Sequence, residues 1–254
     1  MAKLLDKRLL PLIGPLLLLA LWQLMISAHW VKPVLLPPPG ETLAHLVTVV
    51  ANGSIWPDFL ATLGRTLASF AIAVAIGVPL GVVLGSAEGA YRSVEFVIDF
   101  FRSTPSSALI PLFMLIFGIT DINKIAIASF GAMLIVLFNS AYGVMNAKKT
   151  RVMAAQIMGV SKWHVFKDVL LMESLAQTFV GLRSAVSMAL VIVIVAEMFI
   201  GSETGLGHRI IDAQQVFNVK DMYTSIGITG ALGYGLNLVF LLCEKKLIHW
   251  SGKA

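Results

Sequence analysis

Six long apolar stretches, separated by short polar segments, dominate the hydrophobic pattern of the chain. A helix needs about 20 mostly apolar residues to cross the hydrocarbon core of a bilayer, and each stretch reaches about that length. None alternates apolar and polar positions as the strands of a membrane barrel do. The pattern therefore predicts an all-α polytopic membrane protein of one domain, residues 1–254, with about six transmembrane helices. The predicted spans are residues 10–28, 62–86, 94–119, 124–146, 174–199 and 223–243.

The composition agrees with a membrane protein. Hydrophobic residues make up 57% of the chain and charged residues only 13%, whereas a typical soluble protein carries about 25% charged residues. The net charge of +5 would suggest nucleic-acid binding in a soluble protein. In a membrane protein an excess of Lys and Arg instead sets the orientation. We therefore expect the lipid bilayer, and no nucleic acid, as a partner.

The distribution of Lys and Arg between the predicted spans indicates the orientation. Twelve of these residues lie on the side that holds both chain ends and the loops around Arg92 and Trp163. The other side holds only Lys32, Lys124, Arg209 and Lys220. Cytoplasmic loops of membrane proteins carry the excess of positive charge. The pattern predicts that both termini are cytoplasmic.

One outer segment has a pattern of its own. After the first span, Pro37–Pro39 is expected to be non-helical. Glu41 to Val50 then has the pattern of a short amphipathic helix that lies on the outer surface.

The cytoplasmic loop of about residues 147–173 has the pattern of two short helices. Arg151 to Met158 can form the first helix, and Gly159 can end it because glycine adopts positive φ at little cost. Ser161 is a suitable N-cap for the second helix. Such a pair of helices could insert into a groove of a soluble partner or lie flat on the bilayer, and the pattern leaves both open. One apolar face of the second helix is formed by Trp163, Phe166 and Leu170.

The same loop has a characteristic spacing of small and apolar residues. Two adjacent alanines precede a glycine by four residues, and apolar residues follow ten and twelve positions after that glycine. This spacing resembles the EAA loop of the membrane-spanning subunits of bacterial ABC importers. The chain departs from that pattern at Met153, where the family has Glu, and at Met172, where it has Pro. The matching positions are Ala154, Ala155, Gly159, Val169 and Leu171.

The resemblance extends over nearly the whole chain. Residues 95–127 resemble the third and fourth spans of permeases in the nitrate, sulfonate, taurine and bicarbonate group. Residues 181–210 resemble their fifth span and following outer loop, and residues 243–250 resemble their basic C-terminal end. The resemblance implies a multi-pass permease of the bacterial inner membrane that forms the pathway for a small, anionic solute such as nitrate, a sulfonate, taurine or bicarbonate.

The resemblance also implies partners. These are two ABC ATPase subunits that bind ATP and Mg²⁺, an extracytoplasmic solute-binding protein and a second permease copy in a homodimer. In such a transporter the loop couples the permease to the ATPase, and the implied coupling residues are Ala154, Ala155, Gly159, Trp163, Phe166, Val169 and Leu171.

The sequence carries no motif for catalysis or for a cofactor. It lacks the G-x-x-x-x-G-K-[ST] loop that holds nucleotide phosphates. It also lacks His and Cys clusters with metal-ligand spacing and the G-x-S-x-G or S-x-x-K nucleophile motifs. We therefore expect a transport subunit that is not an enzyme, with no catalytic residue, cofactor or metal of its own.

Several polar residues inside the predicted spans are candidates for the transport pathway. The third span is interrupted at residues 102–107, where Pro105 removes a backbone donor, and broken helices often line transport cavities. Arg102 either pairs locally with Asp99, three residues earlier, or faces the pathway of an anion. Arg65 lies near the outer end of its span and is expected to extend to the surface. The pathway candidates are Arg102, Ser103, Thr104, Ser106, Ser107, Arg183 and Glu197, of which Glu197 could instead cap contacts of the outer loop.

Two other classes of protein fit the composition. A self-contained channel or secondary transporter would need no partner, but the chain shows no inverted sequence repeat of the kind found in many such transporters. An intramembrane enzyme would need paired catalytic side chains. The loop at residues 147–173 therefore favours a permease that works with a soluble ATPase.

Overall fold

The computed structural model describes residues 10–247 and has no β-strand in that range. A 3₁₀-helix (Ser106–Leu109) precedes α5, and a π-helix (Val165–Leu170) connects α8 to α9. The α-helices are α1 (Leu10–Ser27), α2 (Pro39–Ala51), α3 (Trp56–Ser86), α4 (Glu88–Ser103), α5 (Ile110–Phe117), α6 (Asp121–Met145), α7 (Lys149–Ile157), α8 (Lys162–His164), α9 (Leu171–Phe199), α10 (Leu206–Gln215) and α11 (Val219–Leu247). The predicted all-α class is confirmed.

All six apolar stretches of the sequence coincide with helices, but they differ in geometry. Four helical segments of the described chain are long and apolar enough to cross a membrane. They are α3, α6, α11 and the continuous segment from Lys162 to Phe199. The predicted third span is two helical pieces, Glu88–Ser103 and Ser106–Phe117, bent by 90°, which would make a fifth crossing if taken together. α1 is a shorter apolar helix. Six spans and the cytoplasmic position of both termini stay predictions.

Helices α3, α6 and α9 form the centre of the protein. On α3, Gly77, Gly81 and Gly85 face the backbone of α6. A Cβ atom on Gly81 would lie 2.4 Å from the carbonyl oxygen of Leu137, and one on Gly85 would lie 2.5 Å from that of Ala141. Small residues permit such close approach of helices in a membrane, where packing replaces the hydrophobic effect as the source of association. All three helices contribute to a buried cluster of mostly small side chains, which contains Ala73, Ala132, Val136, Ala185 and Ala189.

The side predicted to face outward is covered by α2 and α10, which pack against α11. The predicted amphipathic helix is present as α2, but it begins at Pro39, which we expected to be non-helical. Proline is tolerated in this first position because the N–H that it lacks would have no partner within the helix. The buried cluster beneath these helices contains Val49, Ile55, Leu190, Leu206 and Ile228.

Replacing Gly81 by Val should damage the contact between α3 and α6. The new side chain would meet a backbone oxygen, which cannot move aside as a side chain can. Overpacking of this kind typically costs about 1–3 kcal/mol. Thermal unfolding of the protein in detergent should therefore show a lower midpoint for Gly81→Val. Gly64→Val is the matched control, because nothing lies within 4 Å of a Cβ at Gly64 on the same helix. Equal midpoints for both variants would contradict the role of Gly81.

Candidate functional site

The break in the third span follows from its proline. A residue that precedes proline is pushed out of the α-helical region, and Thr104 has the extended angles φ −82° and ψ 125°. α4 therefore ends at Ser103. The chain resumes as a 3₁₀-helix after Pro105 and continues as α5. The predicted interruption at residues 102–107 is therefore present as a sharp bend.

A cavity of about 430 Å³ lies beside this bend. Residues of α6 and α9 form its apolar wall, and Gly131 on α6 permits close approach, since a Cβ there would lie 2.6 Å from the hydroxyl of Ser106. The structure thus brings five of the predicted pathway residues together. The polar wall of the cavity consists of Arg102, Ser103, Thr104, Ser106 and Ser107.

The guanidinium of Arg102 has two neighbours. It donates a hydrogen bond to Asp99 at 3.0 Å, as the local-pair alternative predicted. Its central carbon also lies 3.7 Å from the centre of the Phe138 ring, a cation–π contact that the sequence did not reveal. Phe138 lies 36 residues away along the chain, so no local spacing signals this contact. The side chain of Arg102 is 36% exposed and lines the cavity.

The other two pathway candidates lie outside this cavity. Arg183 on α9 lies 3.8 Å from the carboxylate of Glu244 on α11. Glu197, near the end of α9, is completely buried. Both residues remain candidates for the pathway by prediction only.

Glu197 belongs to a buried polar cluster that joins the start of α3, the start of α6 and the end of α9. Its carboxylate accepts hydrogen bonds from Arg65 at 2.7 Å, from the Thr62 hydroxyl at 2.9 Å and from the Gly207 N–H at 2.9 Å. Arg65 also pairs with Asp121 at 2.9 Å. The prediction that Arg65 extends to the surface was wrong, because its side chain is only 8% exposed and its partners lie within the protein. The cluster fixes the start of α10 to three helices.

A second ion-pair group lies next to this cluster, since Asp58 also accepts a hydrogen bond from the N–H of Gly205 at the start of α10. Arg209 on α10 binds Asp221 on α11 at 2.8 Å and Asp58 on α3 at 3.3 Å. Burial alone would lower the pKa of the Arg209 guanidinium, but hydrogen bonds and charge from Asp221 and Asp58 outweigh burial and raise the pKa. Arg209 therefore stays charged at any physiological pH. His45 on α2 also contacts Asp221, at 3.1 Å, so the group joins four helices.

The loop between α6 and α9 contains the first of the two predicted short helices as α7, but the predicted second helix is not separate, because it is continuous with α9 in one segment from Lys162 to Phe199. α7 ends before Gly159, whose φ of +74° is in the left-handed region that favours glycine. The N–H of Val160 then donates to the carbonyl of Ala155 at 3.1 Å, which closes the helix end. Ser161 caps α8 by accepting a hydrogen bond from the N–H of His164, as predicted. α8 runs directly into the π-helix, which the sequence did not predict.

Large apolar side chains are exposed around this turn. Trp163 is 65% exposed, and its ring stacks on that of Phe166 with the ring centres 5.8 Å apart. Ile157 and Met158, which our sequence analysis did not single out, are 87% and 79% exposed. Both residues lie directly before Gly159. Apolar side chains next to a glycine turn are the signal in the sequence that could have identified them as exposed. Ala154 and Gly159 are also exposed, whereas Ala155, Phe166, Val169 and Leu171 are half-buried.

The chain is similar along most of its length to proteins of one transport family. The family described as "Binding-protein-dependent transport system inner membrane component" matches residues 77–245. The putative aliphatic sulfonates transport permease protein SsuC of Escherichia coli K12 is 31% identical over 244 residues, which cover 96% of this chain and 92% of that protein. The taurine transport system permease protein TauC of the same organism is 26% identical over 241 residues, with coverages of 93% and 87%.

A solved structure supports the same fold. A chain of the MetNI methionine ABC transporter, in an inward-facing conformation, matches with a TM-score of 0.66 and 21% identity. The match covers 76% of this chain and 95% of that chain.

Removing Glu197 should destabilise the cluster that joins α3, α6 and α9. Glu197→Ala leaves part of the buried guanidinium of Arg65 without its partner, and breaking a buried pair in this way costs about 3–5 kcal/mol. The thermal unfolding midpoint in detergent should fall clearly. Glu41→Ala is the control, because Glu41 pairs with Lys220 on the surface, where both side chains are about half exposed. Such a pair contributes about 0–1 kcal/mol. An unfolding midpoint for Glu197→Ala that matches that of the control would show that the cluster contributes little to stability.

Proposed function

We propose, on the premise that the chain belongs to the family of binding-protein-dependent transport system inner membrane components, that it forms the translocation pathway of an ATP-driven importer for a small anionic solute. It is a multi-pass inner-membrane permease of the type I ABC importer class. The solute is a sulfonate or taurine-like compound, since the similar SsuC and TauC are named for such solutes. An extracytoplasmic binding protein delivers the solute, and a separate ATPase supplies the energy.

The observation that carries the assignment to an anion is the polar wall of the cavity beside the bend. Four hydroxyl side chains and one guanidinium line it. Hydroxyls and guanidinium groups donate hydrogen bonds, and a guanidinium can donate two parallel hydrogen bonds to two oxygens of one anionic group. One chain supplies one such wall. A homodimer with a two-fold axis would place two of these walls around a common path.

The proposed docking surface consists of Ile157, Met158 and Trp163. With both termini in the cytoplasm, it faces the cytoplasm. Contiguous exposed apolar side chains mark sites of contact with a partner or a membrane. A short helix that presents such side chains fits a groove on a soluble protein, and the family supports an ATPase as that partner. ATP and Mg²⁺ would then be bound by the ATPase.

Changing the docking surface should separate the permease from its ATPase. Trp163→Ala removes an exposed ring without opening a core cavity, and Gly159→Val puts a branched side chain at a positive φ that it does not tolerate. Both variants should reach the membrane in normal amount but co-purify with much less ATPase. Trp30→Ala is the matched control, because Trp30 is 70% exposed on the predicted outer side. Normal co-purification of both variants would place the ATPase contact elsewhere.

Arg102 allows a charge-preserving test of the pathway. Arg102→Lys should retain substantial uptake of taurine or an aliphatic sulfonate, because the positive charge remains. Uptake by the Arg102→Gln variant should fall about tenfold or more, as expected for loss of a charge-assisted hydrogen bond. Arg92→Gln is the control, because Arg92 lies on the same helix with an acidic partner but is 73% exposed and lies outside the cavity. Normal uptake by an assembled Arg102→Gln transporter would remove Arg102 from the pathway and leave its pair with Asp99 as a local contact.

A further inference from the structure

Glu173 joins α7 to α9, two helices that make few backbone contacts with each other. It lies in the first turn of α9, and its side chain is only 12% exposed. The carboxylate accepts a hydrogen bond from the backbone N–H of Lys148 at 2.6 Å and forms an ion pair with Arg151. Lys148 and Arg151 belong to the start of α7, so the carboxylate joins the beginnings of α7 and α9.

The carboxylate acts as the cap that α7 lacks. Lys148 is the N-cap residue of α7 and makes no side-chain hydrogen bond to the helix. Ionised carboxylates are favourable at this end of a helix because the first N–H groups have no partner within it and the helix dipole is positive there. Glu173 supplies the missing acceptor from another helix. The position of α7 therefore depends on the position of α9.

The covalent route between the same helices is much less direct. From α7 the chain passes through the turn at Gly159, the three residues of α8 and the π-helix Val165–Leu170 before it reaches α9. π-helices are rare, occur mostly as short segments and are frequent at functional sites. The backbone of α7 packs against this π-helix, and its backbone contacts with α9 are few. Since Lys162 to Phe199 is one continuous helical segment, Glu173 gives α7 a second link to that segment in addition to the turn at Gly159.

The other end of α9 forms one wall of the cavity beside the bend. Met188, Val191 and Ile192 on α9 line that cavity. A rise of about 1.5 Å per residue separates Glu173 from Val191 by roughly 27 Å along one continuous helix. A displacement applied at Glu173 is therefore carried to the cavity by a single rigid element.

We propose that Glu173 is a positioning residue that transmits movement of α7, the helix that carries Ile157 of the docking surface, to the pore wall through its contacts with Lys148 and Arg151. The proposal rests on the proposed function, in which the ATPase binds next to α7. When the ATPase moves α7, the ion pair pulls the start of α9 with it. Without the ion pair, α7 is joined to the helical segment Lys162–Phe199 only through the turn at Gly159 and its packing on the π-helix. The displacement of α7 is then lost at the turn, and ATP is hydrolysed with much less movement of the solute.

The test uses the complete transporter in proteoliposomes, with its ATPase and binding protein and with taurine or an aliphatic sulfonate as the probe. Glu173→Gln should assemble with a normal amount of ATPase and continue to hydrolyse ATP. Solute transported per ATP should fall about tenfold, as for loss of a charge-assisted hydrogen bond, and the binding protein should no longer stimulate hydrolysis. Glu88→Gln is the control, because Glu88 also pairs with an arginine on the cytoplasmic side but is 74% exposed.

A double variant tests whether the two side chains act through one contact. If they do, Arg151→Gln combined with Glu173→Gln should transport no less solute per ATP than Glu173→Gln alone. Normal transport per ATP by an assembled Glu173→Gln transporter would overturn the proposal. Loss of ATPase from Glu173→Gln but not from Glu88→Gln would also overturn it, because Glu173 would then act in assembly. Failure of the proposed function appears separately, as normal ATPase binding by the Trp163→Ala and Gly159→Val variants.

Discussion

The close contact between α3 and α6 is the interaction on which the rest of the structure depends. Three glycines in successive turns of α3 let the two backbones meet without side chains between them. Dispersion forces hold such a contact in a membrane, because lipid offers no hydrophobic driving force for helix association. α9 packs against another part of α6, where Gly143 and Gly181 again permit close approach. Asp121, at the start of α6, belongs to the polar cluster of Arg65 and Glu197. The loop that contains α7 follows Met145 at the end of α6. One helix therefore positions both features.

Features that depend on neighbouring residues were predicted well from the sequence. The apolar stretches coincide with helices because the length and composition of a span are set locally by the thickness of the bilayer. The interruption at Pro105 and the turn at Gly159 follow from the backbone restrictions of single residues. The cap at Ser161 has the same local origin. The five residues around Pro105 that were predicted for the pathway share one cavity because they are close together in the chain.

Features that depend on distant partners were missed or misjudged. Arg65 was expected to reach the surface because its sequence neighbours say nothing about Glu197, which is 132 residues away. The contacts of Arg102 with Phe138 and of Arg151 with Glu173 also join residues far apart in the chain. Hydrophobic periodicity identifies the buried face of a helix, but it does not identify the residue that the face meets. Charged groups in spans therefore need the tertiary structure before their role can be assigned.

The buried pair of Arg65 and Glu197 joins two residues that are synthesised at well separated times. Because the two residues are 132 positions apart, synthesis at roughly 5–20 residues per second separates them by about 7–26 s. Asp121 emerges from the ribosome much earlier, only 56 residues after Arg65. Its carboxylate, which is 59% exposed, is therefore the earlier made of the two carboxylates that pair with Arg65 in the structure. The arginine can thus have one of its final partners before the fifth apolar stretch is synthesised.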